Sequence, residues 1–159
     1  MKKTVMMACV MLSLVAARAT FAATVMLEDA KLEIPVPEGW TSEKEATVVT
    51  TAAPDKAMAI VFVSLPAEKA DKTIEAIEEK LDKAVGKVKW DKKGTKDKLA
   101  GVDVEIWNGT AKDGSLQVEA IYMDVGEKTV GIYWFDTPES EKKYAKDIDT
   151  ICKGLAIKK

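Results

Sequence analysis

The run Ser140-Glu141-Lys142-Lys143 spells S-x-x-K, the spacing in which a lysine amine takes the proton of a serine nucleophile in penicillin-recognising serine enzymes. Its companions are missing: no Ser-Asp-Asn occurs, and Lys128-Thr129-Val130 lacks the glycine of K-T-G. The chain has no histidine, so the commonest general base and the commonest metal ligand are both absent. A serine hydrolase using Ser140 and Lys143 is therefore the weakest functional reading, and Ser140 is expected to serve the first turn of a charged helix. Acids two apart, Asp103 with Glu105, Glu43 with Glu45 and Asp147 with Asp149, form a second set. On a strand that spacing puts Asp103 and Glu105 on one face, where they could hold a hard cation such as Ca²⁺. Nothing around them resembles a calcium loop, so a solvated face is the expectation. No catalytic, cofactor or metal residue is assigned, and an enzyme is not expected.

Two features suit binding. Lys87, Lys89, Lys92, Lys93, Lys96 and Lys98 against Asp91 and Asp97 give a local net charge of +4, with Trp90 among them. Such a segment fits anionic headgroups or an acidic partner, and its plain alternative is a hydrated loop. Trp107 shares its strand phase with Asp103 and Glu105, while Val102, Val104 and Ile106 share the other. If the aliphatic phase faces the core, Trp107 points outward as an anchor for a partner; a covering helix or a bulge would bury it. The partner-binding candidates are Trp90, Lys92, Lys93, Lys96 and Trp107. Asn108-Gly109-Thr110 is formally a glycosylation sequon, but its Asn-Gly is expected to serve a bend after a strand.

The compartment comes from the N-terminus. Lys2 and Lys3 precede an apolar stretch from Thr4 to Ala17, and Thr20-Phe21-Ala22 supplies small residues at a cleavage site. Residues 1–22 read as a signal peptide and residues 23–159 as a single exported domain, periplasmic or secreted. No later segment is long and apolar enough to span a membrane. The leader carries three of the 24 basic residues and none of the 26 acidic ones, so the mature net charge is about −5. That balance argues against nucleic acid as a partner. Cys152 is then the only thiol, which excludes an intramolecular disulfide. Tyr144, Ile148, Ile151 and Leu155 form a helical stripe with Cys152 beside it, so the thiol is expected to be a small buried hydrophobe.

The elements that must position these residues follow from periodicity. Lys31 to Ile34 alternates until Pro35, Pro37 and Gly39 stop it. Ala46 to Thr51 and Ala57 to Leu65 read as a hairpin around Ala53-Pro54-Asp55-Lys56. A helix from about Asp71 to Val85 buries Ile74, Ile77, Leu81 and Val85, with Gly86 as C-cap. Val88 to Trp90, Val102 to Trp107, Leu116 to Met123 and Thr129 to Phe135 follow as antiparallel strands. The last is apolar on both phases and should be central, as should Met58 to Val63. Thr137 N-caps a second helix with Pro138 at N1 and Gly154 at its end. The fold class is α+β: an antiparallel sheet with helices packed on its faces.

The order of elements, the phrase Ile34-Pro35-Val36-Pro37-Glu38-Gly39-Trp40, the strand ending Val63-Ser64-Leu65-Pro66, the Leu99-Ala100-Gly101-Val102 segment and the Tyr144 to Leu155 helix together resemble the PsbP-like α/β/α sandwich. The resemblance spans nearly the whole mature chain and rests on structural motifs, with no catalytic set to carry over. It implies the fold of a small exported domain, and the binding class follows by elimination of catalysis. The leading expectation is a non-catalytic domain binding a protein partner or surface in the cell envelope, and the alternative is an accessory small-ligand module of an envelope enzyme. An exposed aromatic or charged patch would favour the first, and an enclosed apolar cavity with a few polar groups the second.

Overall fold

Strand β10, Lys128–Asp136, carries apolar side chains on both faces, and a strand of that kind must have neighbours on both sides and cover above and below. The computed structural model, which describes residues 21–159, places it so. The chain runs β1 Phe21–Leu27, β2 Leu32–Pro37, β3 Thr41–Glu45, β4 Val48–Ala52, β5 Ala59–Pro66, α1 Ala70–Val85, β6 Lys89–Trp90 and β7 Thr95–Leu99. It continues through β8 Val102–Ala111, β9 Leu116–Val125, β10, α2 Pro138–Gly154 and β11 Ala156–Ile157. An eight-stranded antiparallel sheet has the order β3-β4-β5-β10-β9-β8-β6, with β7 also on β8, and a small sheet has the order β1-β2-β11. The expected leader, Met1 to Ala22, lies outside the described residues apart from Phe21 and Ala22, which open β1. Among the described residues no helix is long and apolar enough to cross a membrane.

The two faces of the large sheet are covered unequally. On one, Val49, Ile60, Phe62, Val104, Ile121, Met123, Val130 and Ile132 meet Leu27, Leu32, Ile34 and Val36 of the small sheet, Tyr144 and Ile151 of α2 and Leu155 just after it in one buried cluster. On the other, α1 alone lies across the strands. Its Val85 joins Val88, Ala111 and Val118, and the Tyr122 hydroxyl donates to Glu78 Oε1 at 3.4 Å. Helices thus sit on opposite faces of an antiparallel sheet, the α+β class expected.

Several local expectations are met and several are corrected. Thr137 caps α2, Pro138 opens it, Gly86 with φ of 86° follows α1, and β4 pairs with β5 around the Pro54 turn. Pro35 and Pro37, read as stops, lie inside β2. From Ile34 onward that strand pairs, among the described residues, with β1 alone, the edge position a proline tolerates. Strand β3 was not legible because Thr41-Ser42-Glu43-Lys44-Glu45 is exposed throughout and has no apolar phase. Asn108-Gly109 makes no bend: both lie inside β8, where a Cβ on Gly109 would come within 2.8 Å of Val88 Cγ1 and 2.9 Å of Trp90 Cε3.

Helix α2 is moored by Trp40, at the end of the proline-rich phrase. The indole ring stands edge-on to Tyr144 with centroids 5.5 Å apart, and its N–H donates to Asp147 Oδ2 at 3.1 Å. Trp40 is 7% exposed. Trp40→Ala should therefore cost about 3–5 kcal/mol in urea unfolding, while Trp40→Phe, which keeps a ring and loses the N–H, should cost about 1–2 kcal/mol. Equal losses from the two variants would mean that the hydrogen bond, not the packed ring, holds the helix.

Candidate functional site

Ser140 and Lys143 are both engaged elsewhere. The Thr137 amide donates to Ser140 Oγ at 2.8 Å and the Ser140 amide donates to Thr137 Oγ1 at 3.2 Å, a reciprocal cap on α2. Lys143 Nζ donates to Asp55 Oδ2 at 2.6 Å, tying the helix to the β4–β5 turn. The Lys143 ammonium and then the Ala57 amide hold the Asp55 carboxyl well below the usual carboxylate range, and Asp55 in turn raises Lys143. A lysine kept protonated by a carboxylate is no base for a serine.

The lysine segment is an edge of the sheet. Residues 95–99 form β7 on β8, with Lys98 Nζ 2.8 Å from Asp103 Oδ1 and Lys96 opposite Glu105 in register. Asp103 is therefore paired with a lysine and Glu105 lies opposite one, and lysine on an edge strand discourages pairing with a second chain. Lys92, Lys93 and Lys96 are exposed, and Trp90 is half-buried. Trp107 is half-buried too, and a Cβ on Gly94 would come within 2.9 Å of its Cε2, so the lysine turn lies against that ring. Val102 and Ile106 pack on the core cluster and Val104 belongs to it, which puts Trp107 on the opposite face. Trp90, Lys92, Lys93, Lys96 and Trp107 are thus gathered along one edge of the molecule.

A second site lies between α2 and the ends of β8, β9 and β10, on the part of that core face which the small sheet leaves open. It is a cleft of about 470 Å³. Its apolar wall is Ile106, Ile121, Trp134 and Ile148, with the Cys152 thiol beside them. Into it come Glu119 from β9, Asp136 from β10 and Glu141 from α2. Glu119 and Asp136 are diagonal neighbours, since Glu119 pairs with Trp134 and Asp136 with Gln117. Asp136 is 4% exposed, yet its carboxylate has no hydrogen-bond or ion-pair partner among the described residues. Burial pushes its pKa up to about 6, with Glu141 adding to the shift. Burial followed by Asp136 and Glu141 pushes Glu119 up to about 7. Burial followed by Glu119 and Asp149 raises the Cys152 thiol to about 11, so it is neutral at pH 7 and a poor nucleophile.

These cleft residues were not among the sequence candidates. The signal was present but quiet: Glu119 shares the phase of Ile121 and Met123, and Asp136 the phase of Val130, Ile132 and Trp134. A charge on the apolar phase of a central strand marks where cover ends. Among the described residues no three His, Cys, Asp or Glu side chains gather closely enough to hold a metal ion.

The unpaired acids make stability depend on pH. A carboxyl whose folded pKa is raised keeps a proton that the unfolded chain has lost, so stability falls as pH rises from about 4 to about 7. Asp136→Asn removes its share. The melting temperature of that variant should match the parent near about pH 4 and exceed it by a growing margin up to about pH 8. A variant that melts below the parent at the higher pH would show that the carboxylate is compensated.

No family model and no curated protein sequence matches this chain. Solved structures do. The solution structure of cyanobacterial PsbP (CyanoP) from Synechocystis sp. PCC 6803 superposes with a TM-score of 0.61 at 11% identity, covering 90% of this chain and 95% of that one. The crystal structure of LpqN, involved in cell envelope biogenesis of Mycobacterium tuberculosis, superposes with a TM-score of 0.55 at 13% identity, over 86% and 90%. The chain has the PsbP-like fold.

Proposed function

We propose that this chain is an exported, non-catalytic binding domain of the cell envelope, and that it engages a protein partner through the cleft between α2 and β8–β10. The cleft carries this reading: an apolar wall with convergent polar groups is the form of a recognition site. Its one soft nucleophile is a neutral thiol, and the serine and lysine of S-x-x-K are spent on a helix cap and an ion pair. The fold is shared with LpqN, described as involved in cell envelope biogenesis, and the leader-like N-terminus agrees with that compartment. The lysine edge with Trp90 and Trp107 is a second surface that the same partner can reach.

A photo-crosslinking residue at Gln117, on the exposed rim of the cleft, should capture a partner in intact cells. Capture only from Lys93 would move the interface to the lysine edge, and capture from neither position would overturn the reading. In the same cells Ser140 should stay unlabelled by β-lactam and fluorophosphonate probes. Ser140→Ala should cost only about 1 kcal/mol, the worth of a helix cap. Covalent labelling of Ser140 would promote the hydrolase reading.

A further inference from the structure

Among the described residues Asp136 is an unpaired carboxylate in the cleft wall. Most buried polar groups are paired, and an ionised carboxylate placed away from water without a partner is costly. Asp136 is buried, faces the cleft and has no partner among the described residues. Two further acids, Glu119 and Glu141, open on the same space, and neither makes an ion pair among the described residues. The lysines at the rim are committed elsewhere, Lys98 to Asp103 and Lys153 to Asp149. The remaining charge at the rim is Asp97, which is negative.

We infer that the cleft binds an organic cation, an ammonium or guanidinium group on an aliphatic stem, with Asp136, Glu119 and Glu141 as its counter-charges. This rests on the cleft being the contact surface, as proposed above, and adds what it recognises. A metal ion needs its ligands gathered at one point, and these carboxylates are spread along the cleft. A larger cation distributes its donors over such a spread, its stem lies against Ile106, Ile121 and Ile148, and the indole of Trp134 stands in the same wall. Filling the site supplies the partner that Asp136 lacks. Occupancy and ionisation are then coupled: the cation is held best once both raised carboxyls have lost their protons, so affinity climbs as pH rises through about 6 to 7.

The test uses the mature chain and two cationic probes that separate the sources of such a group. Spermidine represents a free polyamine, and the blocked peptide acetyl-Ala-Lys-Ala-amide represents a lysine of a protein partner. Hexanol serves as the neutral control. Calorimetry and the intrinsic tryptophan fluorescence of the chain should show saturable binding of at least one cation at about pH 8 and none of hexanol. Affinity should be weaker by about tenfold or more at about pH 5, in Asp136→Asn and in Glu119→Gln. Both variants should melt at or above the parent temperature, which separates a lost charge from a lost fold. Tighter binding of the peptide assigns the site to a protein side chain, and tighter binding of spermidine assigns it to a small ligand. No saturable binding of either cation, or binding unchanged in both variants, overturns the inference. Capture from Gln117 in cells without cation binding would leave the cleft as an interface of other chemistry. Cation binding without capture would instead overturn the protein-partner reading and leave this inference standing.

Discussion

The double-sided burial of β10 is the constraint on which the other elements depend. Its residues Val130, Ile132 and Trp134 face one layer, and Gly131 and Tyr133 the other, all nearly excluded from water. A strand like this contributes only if both faces are closed, so the chain must deliver a layer to each. Helix α1 serves one face. On the other, α2 begins two residues after β10 ends, folds straight back over the strand, and meets Trp40 in the turn after β2. The crowding is tight enough that the Tyr133 ring lies over Gly131, where a Cβ would fall 2.7 Å from Cε2.

That arrangement explains why the cleft exists. The three-stranded sheet covers β4, β5 and the near half of β10 through Leu27, Leu32 and Ile34, and α2 alone must shelter the far ends of β8 to β10. A single helix cannot close over three strands, so a concavity remains beside Trp134. Charges left there sit in a poorly solvated place. The contrast with the exposed acids is instructive: Asp103 on β8 is met by Lys98 of β7, Asp55 by Lys143 and Asp149 by Lys153. These exposed acids are paired although each such pair stabilises the chain little, whereas Asp136, whose pairing would matter more, has no partner among the described residues. Function is the natural reason for a protein to retain such a cost.

The fold is shared with structures only 11% and 13% identical to this chain. Similarity at that distance reflects the layer architecture, which many sequences satisfy, and function rests on the side chains each one places in its open regions. For this chain those are Glu119, Asp136 and Glu141 on one side of the sheet and the lysine edge with Trp90 and Trp107 on the other.

Much of the architecture was legible in the residues. Local signals are decided within a few positions: Thr137 and Pro138 start α2, Gly86 follows α1, Pro54 turns β4 into β5, and the two-phase apolarity of β10 demands a central place. Where the pattern was weak the reading failed, as at β3 and β7, because an exposed edge strand gains its hydrogen bonds from a neighbour and needs no apolar phase of its own. The absence of histidine and the missing companions of S-x-x-K were also plain in the sequence. Only the tertiary structure decided which charges find partners. Lys98 meets Asp103 through strand pairing, Lys143 meets Asp55 across 88 positions, and Asp136 meets no partner among the described residues. Pairing of that kind depends on which elements are brought together and which surface they leave uncovered, and no local spacing in the chain encodes it.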